Sequence, residues 1–176
     1  LDLILGDPYR IPHPVQIIGK LISFLEKKLI NFPNKRFYGG VLNILVLSIT
    51  FIVCYFLQKI IFIEIYLMYT IFSTRCLANE GNKVYKILKE DNIVKARKEL
   101  SYLVSRDTEN LQKEDIIRST METISENTVD GVIAPMLFMF IGGLPLAMVY
   151  KAINTMDSML GYKNEKYKDF GYFSAK

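Results

Sequence analysis

The sequence predicts an all-α, polytopic integral membrane protein. Two uncharged runs support this fold class: 22 residues between Arg36 and Lys59, and 20 residues covering 131–150. Between the two runs, apolar residues recur at helical spacing among many charges. The composition, 51% hydrophobic and 23% charged with a mean hydropathy of +0.20, fits such a segregated chain better than a typical soluble domain. We expect one domain over 1–176 with membrane and cytoplasmic parts.

Residues 1–36 are predicted to form a loop and an interfacial helix. The stretch GDPYRIPHPV, residues 6–15, has three prolines and one glycine, which disfavour a helix and stiffen the loop. Such a loop would hold Asp7, Arg10 and His13, the only histidine, at fixed positions. A turn that merely ends a membrane helix explains the composition at least as well.

Residues 37–75 are predicted to form a transmembrane helical hairpin. The first uncharged run would make roughly 33 Å of helix, enough to cross a bilayer core. The second apolar run, IIFIEIYLMYTIFST, is shorter, and its one charge, Glu64, must face protein or water. We expect the connection near Gln58 and Lys59, and the basic flanks place both ends of the hairpin on the cytoplasmic side.

Residues 76–130 are predicted to form a cytoplasmic region of amphipathic helices. A break at residues 90–92 separates two helical patterns, with Asn92 as the N-cap of the second. The apolar positions of these patterns are Val84, Ile87, Leu88, Ile93, Ala96, Leu100 and Leu103. Between 112 and 126, one face carries Ile117, Met121 and Ile124, and the opposite face carries Asp115, Arg118, Glu122 and Glu126.

Residues 131–150 are predicted to form a broken apolar segment. Pro135, the Gly142-Gly143 pair and Pro145 interrupt any continuous helix. A simple span would separate the polar residues before it from those in 151–176 by the whole bilayer. We therefore expect a re-entrant or buried helical hairpin that reverses near Gly142-Gly143.

Three polar clusters contain groups that chemistry uses, and each also has a structural explanation. Arg106 and Asp107 are predicted to form a helix-ending turn in which Asp107 caps the next helix, and these residues alone favour that role over catalysis. Lys151, with Asn154 and Ser158 beside it, suits phosphate binding, although an interfacial lysine that reaches towards the headgroups explains it too.

The third cluster consists of carboxylates. Glu122, Glu126 and Asp130 are four residues apart, so a continuing helix would place them on one face, where their oxygens suit Mg²⁺. A solvated helix face in which Arg118 pairs with Glu122 explains the same spacing. The position of the cluster, directly before the broken apolar segment, favours a site.

Several function classes lack support in the sequence. The net charge of +4 is spread out, so no basic stripe indicates nucleic-acid binding. No signal peptide, Walker-type loop, dinucleotide fingerprint or HExxH zinc motif is present. Cys54 and Cys76 lack metal-type spacing, and we expect them to be free thiols.

Four ordered segments resemble the adenosylcobinamide-phosphate synthase family of cobalamin biosynthesis (CbiB/CobD type). They are GDPYRIPHPVQIIGK, LVSRDTENL, ETISENTVDGVIAPMLF and GGLPLAMVYKAINTMDSMLGYKNEKYKDFGYFSA, and they cover nearly the whole chain. One departure is Leu146, where the family usually has glycine. Family chains extend beyond the FG-x-x-SA stretch at 170–175, and an amino-terminal helix normally leads into their GDP stretch. We therefore expect a fragment truncated at both ends.

The resemblance implies ATP-dependent amide formation between adenosylcobyric acid and aminopropanol or its phosphate, with ATP as co-substrate and Mg²⁺ as cofactor. The chemistry and the placement of the polar clusters suggest roles for particular residues. Catalytic candidates are His13, Asp107 and Lys151. Candidates for substrate or phosphate binding are Asp7, Arg106, Arg118, Asn127, Asn154 and Ser158. Candidates for Mg²⁺ are Glu122, Glu126, Asp130 and Asp157.

The expected setting follows from the same resemblance. The chain would be a multi-pass protein of the cell membrane, with the lipid bilayer, the corrinoid, aminopropanol (phosphate) and other cobalamin-pathway membrane enzymes as partners, and no nucleic acid. Three alternatives stay open: a non-catalytic relative in sensing, a corrinoid transporter or binding scaffold, and a soluble helical protein. The 22-residue uncharged run argues against the last.

Overall fold

The computed structural model describes residues 13–104, 106–162 and 164–175, and all regular secondary structure among them is helical. The helices are α1 (Pro14–Leu29), α2 (Lys35–Leu57), α3 (Ile61–Ile71), α4 (Thr74–Lys89), α5 (Ile93–Ser101), α6 (Lys113–Thr128) and α7 (Ala134–Leu160). A π-helical turn, Val129–Ile133, lies between α6 and α7. The predicted all-α class is confirmed.

The helices belong to two compact units. The apolar unit contains α1, α2, α3, α7 and the segment 164–175, and the polar unit contains α4, α5, α6 and the π-helical turn. Three helical runs are long and apolar enough to cross a membrane: Lys35–Leu57, Ile61–Lys89 and Lys113–Leu160. Length and composition therefore confirm the predicted multi-pass membrane character.

In the apolar unit, α2 supplies the longest continuous helix that is free of charge after its first turn. Its 23 residues extend about 35 Å at 1.5 Å per residue. One stripe at helical spacing is buried, where α2 packs against α1 and α7: Gly39, Leu42, Val46, Thr50 and Cys54. The other faces are apolar but exposed, with Ile44 at 67% and Phe56 at 60%. Such exposure suits lipid, since the bilayer solvates apolar side chains.

The connection predicted near Gln58 and Lys59 is present, because α2 ends at Leu57 and α3 begins at Ile61. The second arm differs from the prediction. Helix α3 has 11 residues, about 16 Å, which is roughly half of a bilayer core. The helical run resumes at Thr74 as α4, so the apolar stretch is interrupted before residue 75. Helix α3 packs against α7.

The predicted break in the third apolar segment is confirmed. Gly142 (φ −144°, ψ 22°) and Gly143 (φ 68°, ψ −164°) leave helical geometry within α7. A positive φ of this size is easy only for glycine, so the sequence can break the helix here without strain. Leu146 packs beside the break, because a Cβ atom on Gly142 would lie 2.8 Å from Leu146 Cδ2. The reversal of chain direction stays a prediction.

The segment 164–175 docks on α2 through small residues and one buried ring. Phe170 is fully buried, and a Cβ atom on Gly39 would overlap its carbonyl oxygen. Asn43 Nδ2 donates to Ser174 Oγ at 3.1 Å and to Gly39 O at 2.9 Å. A Cβ atom on Gly171 would in turn overlap the carbonyl oxygen of Leu160, at the end of α7. The FG-x-x-SA motif therefore has a packing role in this unit.

The polar unit has its own core, formed by Val84, Ile87, Leu88, Ala96, Leu100 and Ile116. The helical positions predicted for α4 and α5 supply most of it. Asn92 caps α5 as predicted, because its Oδ1 accepts from Lys95 N at 3.0 Å. Helix α6 uses a different face from the apolar one read in the sequence. It buries Ile116, Ser119, Thr120 and Thr123, whereas Ile117 and Met121 are exposed beside Tyr85 in an apolar groove of about 490 Å³.

Candidate functional site

The polar unit joins three of the predicted site residues in one ionic network. Arg106 Nη2 donates to Glu122 Oε2 at 3.0 Å, and Arg118 Nε donates to Glu122 Oε1 at 3.1 Å. The hydrogen bonds from Arg106 and Arg118 hold the pKa of Glu122 below its usual range. The i, i+4 pair predicted between Arg118 and Glu122 is thus present, and Arg106 adds a second cation from the preceding turn.

Beside this network, α5 and the turn 106–109 enclose a cleft of about 420 Å³. Its charged lining consists of Arg97, Lys98, Arg106, Asp107 and Glu109. Two hydrogen bonds fix the frame. The buried Thr108 donates through Oγ1 to the carbonyl oxygen of Arg97 at 3.0 Å, and Arg97 Nε donates to the carbonyl oxygen of Leu111 at 2.8 Å.

Asp107 has a local structural role, but a different one from that predicted. Its Oδ1 accepts from Glu109 N at 2.9 Å and so closes a turn before α6. The N-cap of α6 is Gln112, whose backbone N–H donates to Asp115 Oδ2 at 3.4 Å. The prediction that Asp107 caps the next helix is therefore wrong, because the N-cap of α6 is Gln112, with four residues between it and Asp107. A role of Asp107 in catalysis stays a prediction.

The carboxylate row continues along α6 into the π-helical turn. Glu122, Glu126 and Asn127 are exposed on α6, and Asp130 is half-buried in the turn. Asp130 therefore belongs to the π-helical turn, whereas Glu122 and Glu126 belong to α6. Over residues 13–104, 106–162 and 164–175, no group of three His, Cys, Asp or Glu side chains is placed to hold a metal ion.

The apolar unit contains the remaining described candidates, all but one on α7. Lys151 is buried, with 9% of its surface exposed, and Asn154 is half-buried one turn later. Ser158 Oγ donates to the Asn154 carbonyl at 2.9 Å, so this hydroxyl pairs with its own helix. Asp157 is exposed near the end of α7.

The exception is His13, which is the N-cap of α1. Its Nδ1 accepts from Val15 N at 3.3 Å, with Pro14 as the first helical residue. A neutral ring that accepts at Nδ1 has its proton at Nε2. The other loop candidate, Asp7, lies outside the described residues.

Comparison with known proteins assigns the chain to a family. The model of the CobD/Cbib protein family matches residues 1–176. The chain belongs to the CobD/Cbib protein family. A cobalamin biosynthesis protein CobD of Clostridium perfringens is 50% identical over 187 residues, and one of Clostridium acetobutylicum is 47% identical over 193 residues. A cobalamin biosynthesis protein CbiB of Salmonella arizonae is 42% identical over 189 residues. No solved structure matches the chain.

Each of these alignments covers the whole chain but only part of the relative. The covered share is 59% of the Clostridium perfringens protein, 60% of the Clostridium acetobutylicum protein and 59% of the Salmonella arizonae protein. The CobD/Cbib chain described here thus spans about three-fifths of the length of its curated relatives.

The structure of this CobD/Cbib chain reveals further residues with specific contacts that the sequence pattern did not single out. Arg97 is half-buried and Lys98 is exposed on α5. Charges on such a helix are typical of a solvated face, and only the position of the turn 106–109 makes them part of a cleft. Asn43 had a usable signal, because it is the only Asn within the first uncharged run. A lone amide at such a position usually has a polar partner.

The segment after α7 contains another network that the sequence pattern did not reveal. Tyr167 Oη donates to Glu26 Oε1 at 2.8 Å, and Lys166 Nζ lies 2.7 Å from the same oxygen. These contacts fasten the segment 164–175 to α1. Nothing in the local sequence predicts them, because more than 130 residues separate the partners along the chain.

Proposed function

We propose that the full-length protein acts in cobalamin biosynthesis as a membrane-bound, ATP-dependent ligase. The reaction joins the carboxylate of adenosylcobyric acid to the amine of aminopropanol or of its O-phosphate. The observation that carries this proposal is the family match over all 176 residues, with 41–50% identity to proteins named for cobalamin biosynthesis. The names support the pathway, and the ligase chemistry rests on the resemblance of the four polar segments.

The polar unit offers the charge that such a reaction needs. Converting a carboxylate into an amide requires its activation, and a transferred phosphoryl group develops negative charge that cations stabilise. Arg106 and Arg118 each use one nitrogen on Glu122, and a guanidinium has five N–H donors in a fixed fork. Glu122 thus orients two forks whose remaining donors suit phosphate oxygens. Asp107 is the proposed acceptor of the amine proton.

The apolar unit offers a second group of polar side chains on a rigid helix. Lys151 and Asn154 are one turn apart on α7, and Ser158 follows one turn later. A buried lysine on a packed helix is well positioned for a negatively charged substrate group, since low exposure strengthens its field. His13 is proposed as an alternative base; the nitrogen with the free electron pair in its neutral ring is Nδ1, which accepts from Val15 N at 3.3 Å and would have to exchange that contact for the substrate proton.

Magnesium fits this chain as an ion that enters with ATP, and a protein cage of carboxylates does not fit. Glu122 already pairs with two arginines, which compete with any metal for its oxygens. Mg²⁺ commonly uses one or two carboxylates together with phosphate oxygens and water. Glu126 and Asp130 are the proposed carboxylates of the polar unit, and Asn127 there is a proposed contact to substrate. In the apolar unit, Asp157 is a separate proposed carboxylate. ATP would supply the phosphoryl group that activates the acid.

The proposed setting is the cell membrane, where the protein crosses the bilayer several times. Three helical runs with the required length and hydropathy support this location. The proposed partners are the corrinoid, aminopropanol or its phosphate, the bilayer and other membrane enzymes of the pathway. Nucleic acid is not among them, because the charge of +4 is dispersed along the chain.

The test uses the full-length protein in detergent or membranes. Adenosylcobyric acid, aminopropanol phosphate and Mg-ATP are supplied, and the amide product and ADP are quantified by mass spectrometry. We expect amide formation in step with ATP consumption. Lys151→Met and Glu126→Gln should each lower the rate by about 100-fold. Glu114→Gln, an exposed acid in the first turn of the same helix α6, is the matched control and should leave the rate unchanged.

The outcomes separate the reaction from the residue roles. Amide formation that survives both substitutions keeps the ligase and rejects the proposed roles of Lys151 and Glu126. Tight corrinoid binding without product or ATP consumption in the wild-type protein rejects the ligase and favours a binding or transport function.

A further inference from the structure

The cleft between α5 and the turn 106–109 has an unusual charge pattern for a surface depression. Three cationic side chains, Arg97, Lys98 and Arg106, line it together with two acidic ones, Asp107 and Glu109. A site for a plain anion would gain nothing from two carboxylates, because they repel phosphate. A ligand that has a phosphate at one end and an ammonium group at the other matches both signs.

The cleft is also held in a fixed shape. Thr108 is buried and its hydroxyl bonds to the carbonyl oxygen of Arg97, which ties the turn to α5. The guanidinium of Arg97 is oriented by its bond to the Leu111 carbonyl, and that of Arg106 by its bond to Glu122. Each arginine uses one nitrogen for this purpose, so its fork is oriented before any ligand arrives. Preorganised donors lose less entropy on binding than mobile ones.

The size of the cleft limits its ligand. Its volume of about 420 Å³ lies at the lower end of the range for small-molecule sites. It is open to solvent at Val94, a residue that is 76% exposed. The apolar groove of the same unit, between α4 and α6, has no charged side chain among the described residues that line it, so these residues offer no counter-charge to such a ligand.

We propose that this cleft binds the amine donor as a compact amino-alkyl phosphate, with Arg97, Lys98 and Arg106 on the phosphate and Asp107 and Glu109 on the ammonium group. This inference rests on the proposed ligase function and adds specificity-determining residues to it. Arg97, Lys98 and Arg106 then decide in favour of the phosphorylated donor over free aminopropanol, because the free alcohol leaves these three cations without a counter-charge.

Equilibrium binding to the full-length protein in detergent tests the assignment without requiring turnover. Four probes are titrated calorimetrically: aminopropanol O-phosphate, aminopropanol, inorganic phosphate and ATP. The variants are Lys98→Gln and Glu109→Gln, with Lys95→Gln as the matched control, since Lys95 is an exposed lysine of α5 outside the cleft. A charge-assisted hydrogen bond corresponds to about a tenfold change in affinity.

The two variants should respond in opposite ways to a phosphate without an amine. Lys98→Gln should lower the affinity for aminopropanol phosphate and for inorganic phosphate by about tenfold each. Glu109→Gln should lower the affinity for aminopropanol phosphate by about tenfold. The same variant should bind inorganic phosphate at least as tightly as the wild type does. Lys95→Gln should match the wild type for all probes. Arg97→Lys, which keeps the charge and removes the fork, should also weaken aminopropanol phosphate.

Three binding results would overturn the proposal. The first is that Lys98→Gln and Glu109→Gln bind aminopropanol phosphate with wild-type affinity. The second is that Lys95→Gln loses as much affinity as they do, and the third is that these two variants lose affinity only for ATP. The failure of the ligase looks different, because aminopropanol phosphate would still bind through these residues while no amide formed. Conversely, amide formation with an unchanged KM for the amine in Lys98→Gln would keep the ligase and reject the cleft.

Discussion

Replacing Gly39 by alanine tests how the segment 164–175 is held on α2. A Cβ atom at this position would overlap the carbonyl oxygen of Phe170 and lie 2.9 Å from its carbonyl carbon. The obstacle is backbone next to a fully buried ring, so it cannot rotate away. Gly40 is the matched control, because its Cβ atom would lie 3.3 Å from the ring of Phe173, an exposed side chain that can move.

The magnitude follows from two opposing effects. Both substitutions gain about 1 kcal/mol of helix propensity, since alanine replaces glycine inside α2. Overpacking against a rigid obstacle costs about 3 kcal/mol, the upper part of its usual range. Gly39→Ala should therefore lower the free energy of unfolding by roughly 2 kcal/mol, whereas Gly40→Ala should leave it unchanged or raise it by up to about 1 kcal/mol.

The assay is unfolding in a denaturing detergent, followed by helical circular dichroism, together with limited proteolysis of 164–175. Gly39→Ala should unfold at a lower denaturant fraction and should expose the Lys166 and Lys168 cleavage sites, whereas Gly40→Ala should do neither. Equal stability of the two variants, with equal protection of the segment, would refute the packing argument for the FG-x-x-SA motif.

Two further predictions concern single polar contacts. Asn43→Ala and Ser174→Ala should each lower the free energy of unfolding by about 1 kcal/mol. The double variant should be little less stable than either single variant, because both substitutions remove the same 3.1 Å hydrogen bond. Additive losses of stability in a double-mutant cycle would contradict this coupling. Arg106 and Arg118 lower the folded pKa of Glu122, so their stabilisation of α6 is present above the ordinary carboxylate pKa of 4.5 and is lost as pH falls through the lowered folded value. The protection of the α6 amides, corrected for the intrinsic pH dependence of hydrogen exchange, should accordingly fall at acidic pH, and Glu122→Gln should remove that change in protection.

The sequence by itself determined the elements whose cause is local. Uncharged length sets which helices suit a bilayer, so the span within Lys35–Leu57 and its end near Gln58 follow from composition alone. Asn92 caps α5 and Gly142-Gly143 breaks α7 because each effect depends on one or two residues and their immediate neighbours. The family also followed from the sequence, because its motifs are long and ordered.

Only the tertiary structure decided which distant side chains meet. Contacts between segments separated by many residues bring Arg106 to Glu122, and they bring the turn 106–109 to the cleft face of α5. Such contacts also pair Asn43 with Ser174 and decide which side of α6 is buried. Periodicity identifies an apolar face, but it does not say what covers that face. For this reason the pattern at Ile117 and Met121 was visible in the sequence, although packing left these side chains exposed.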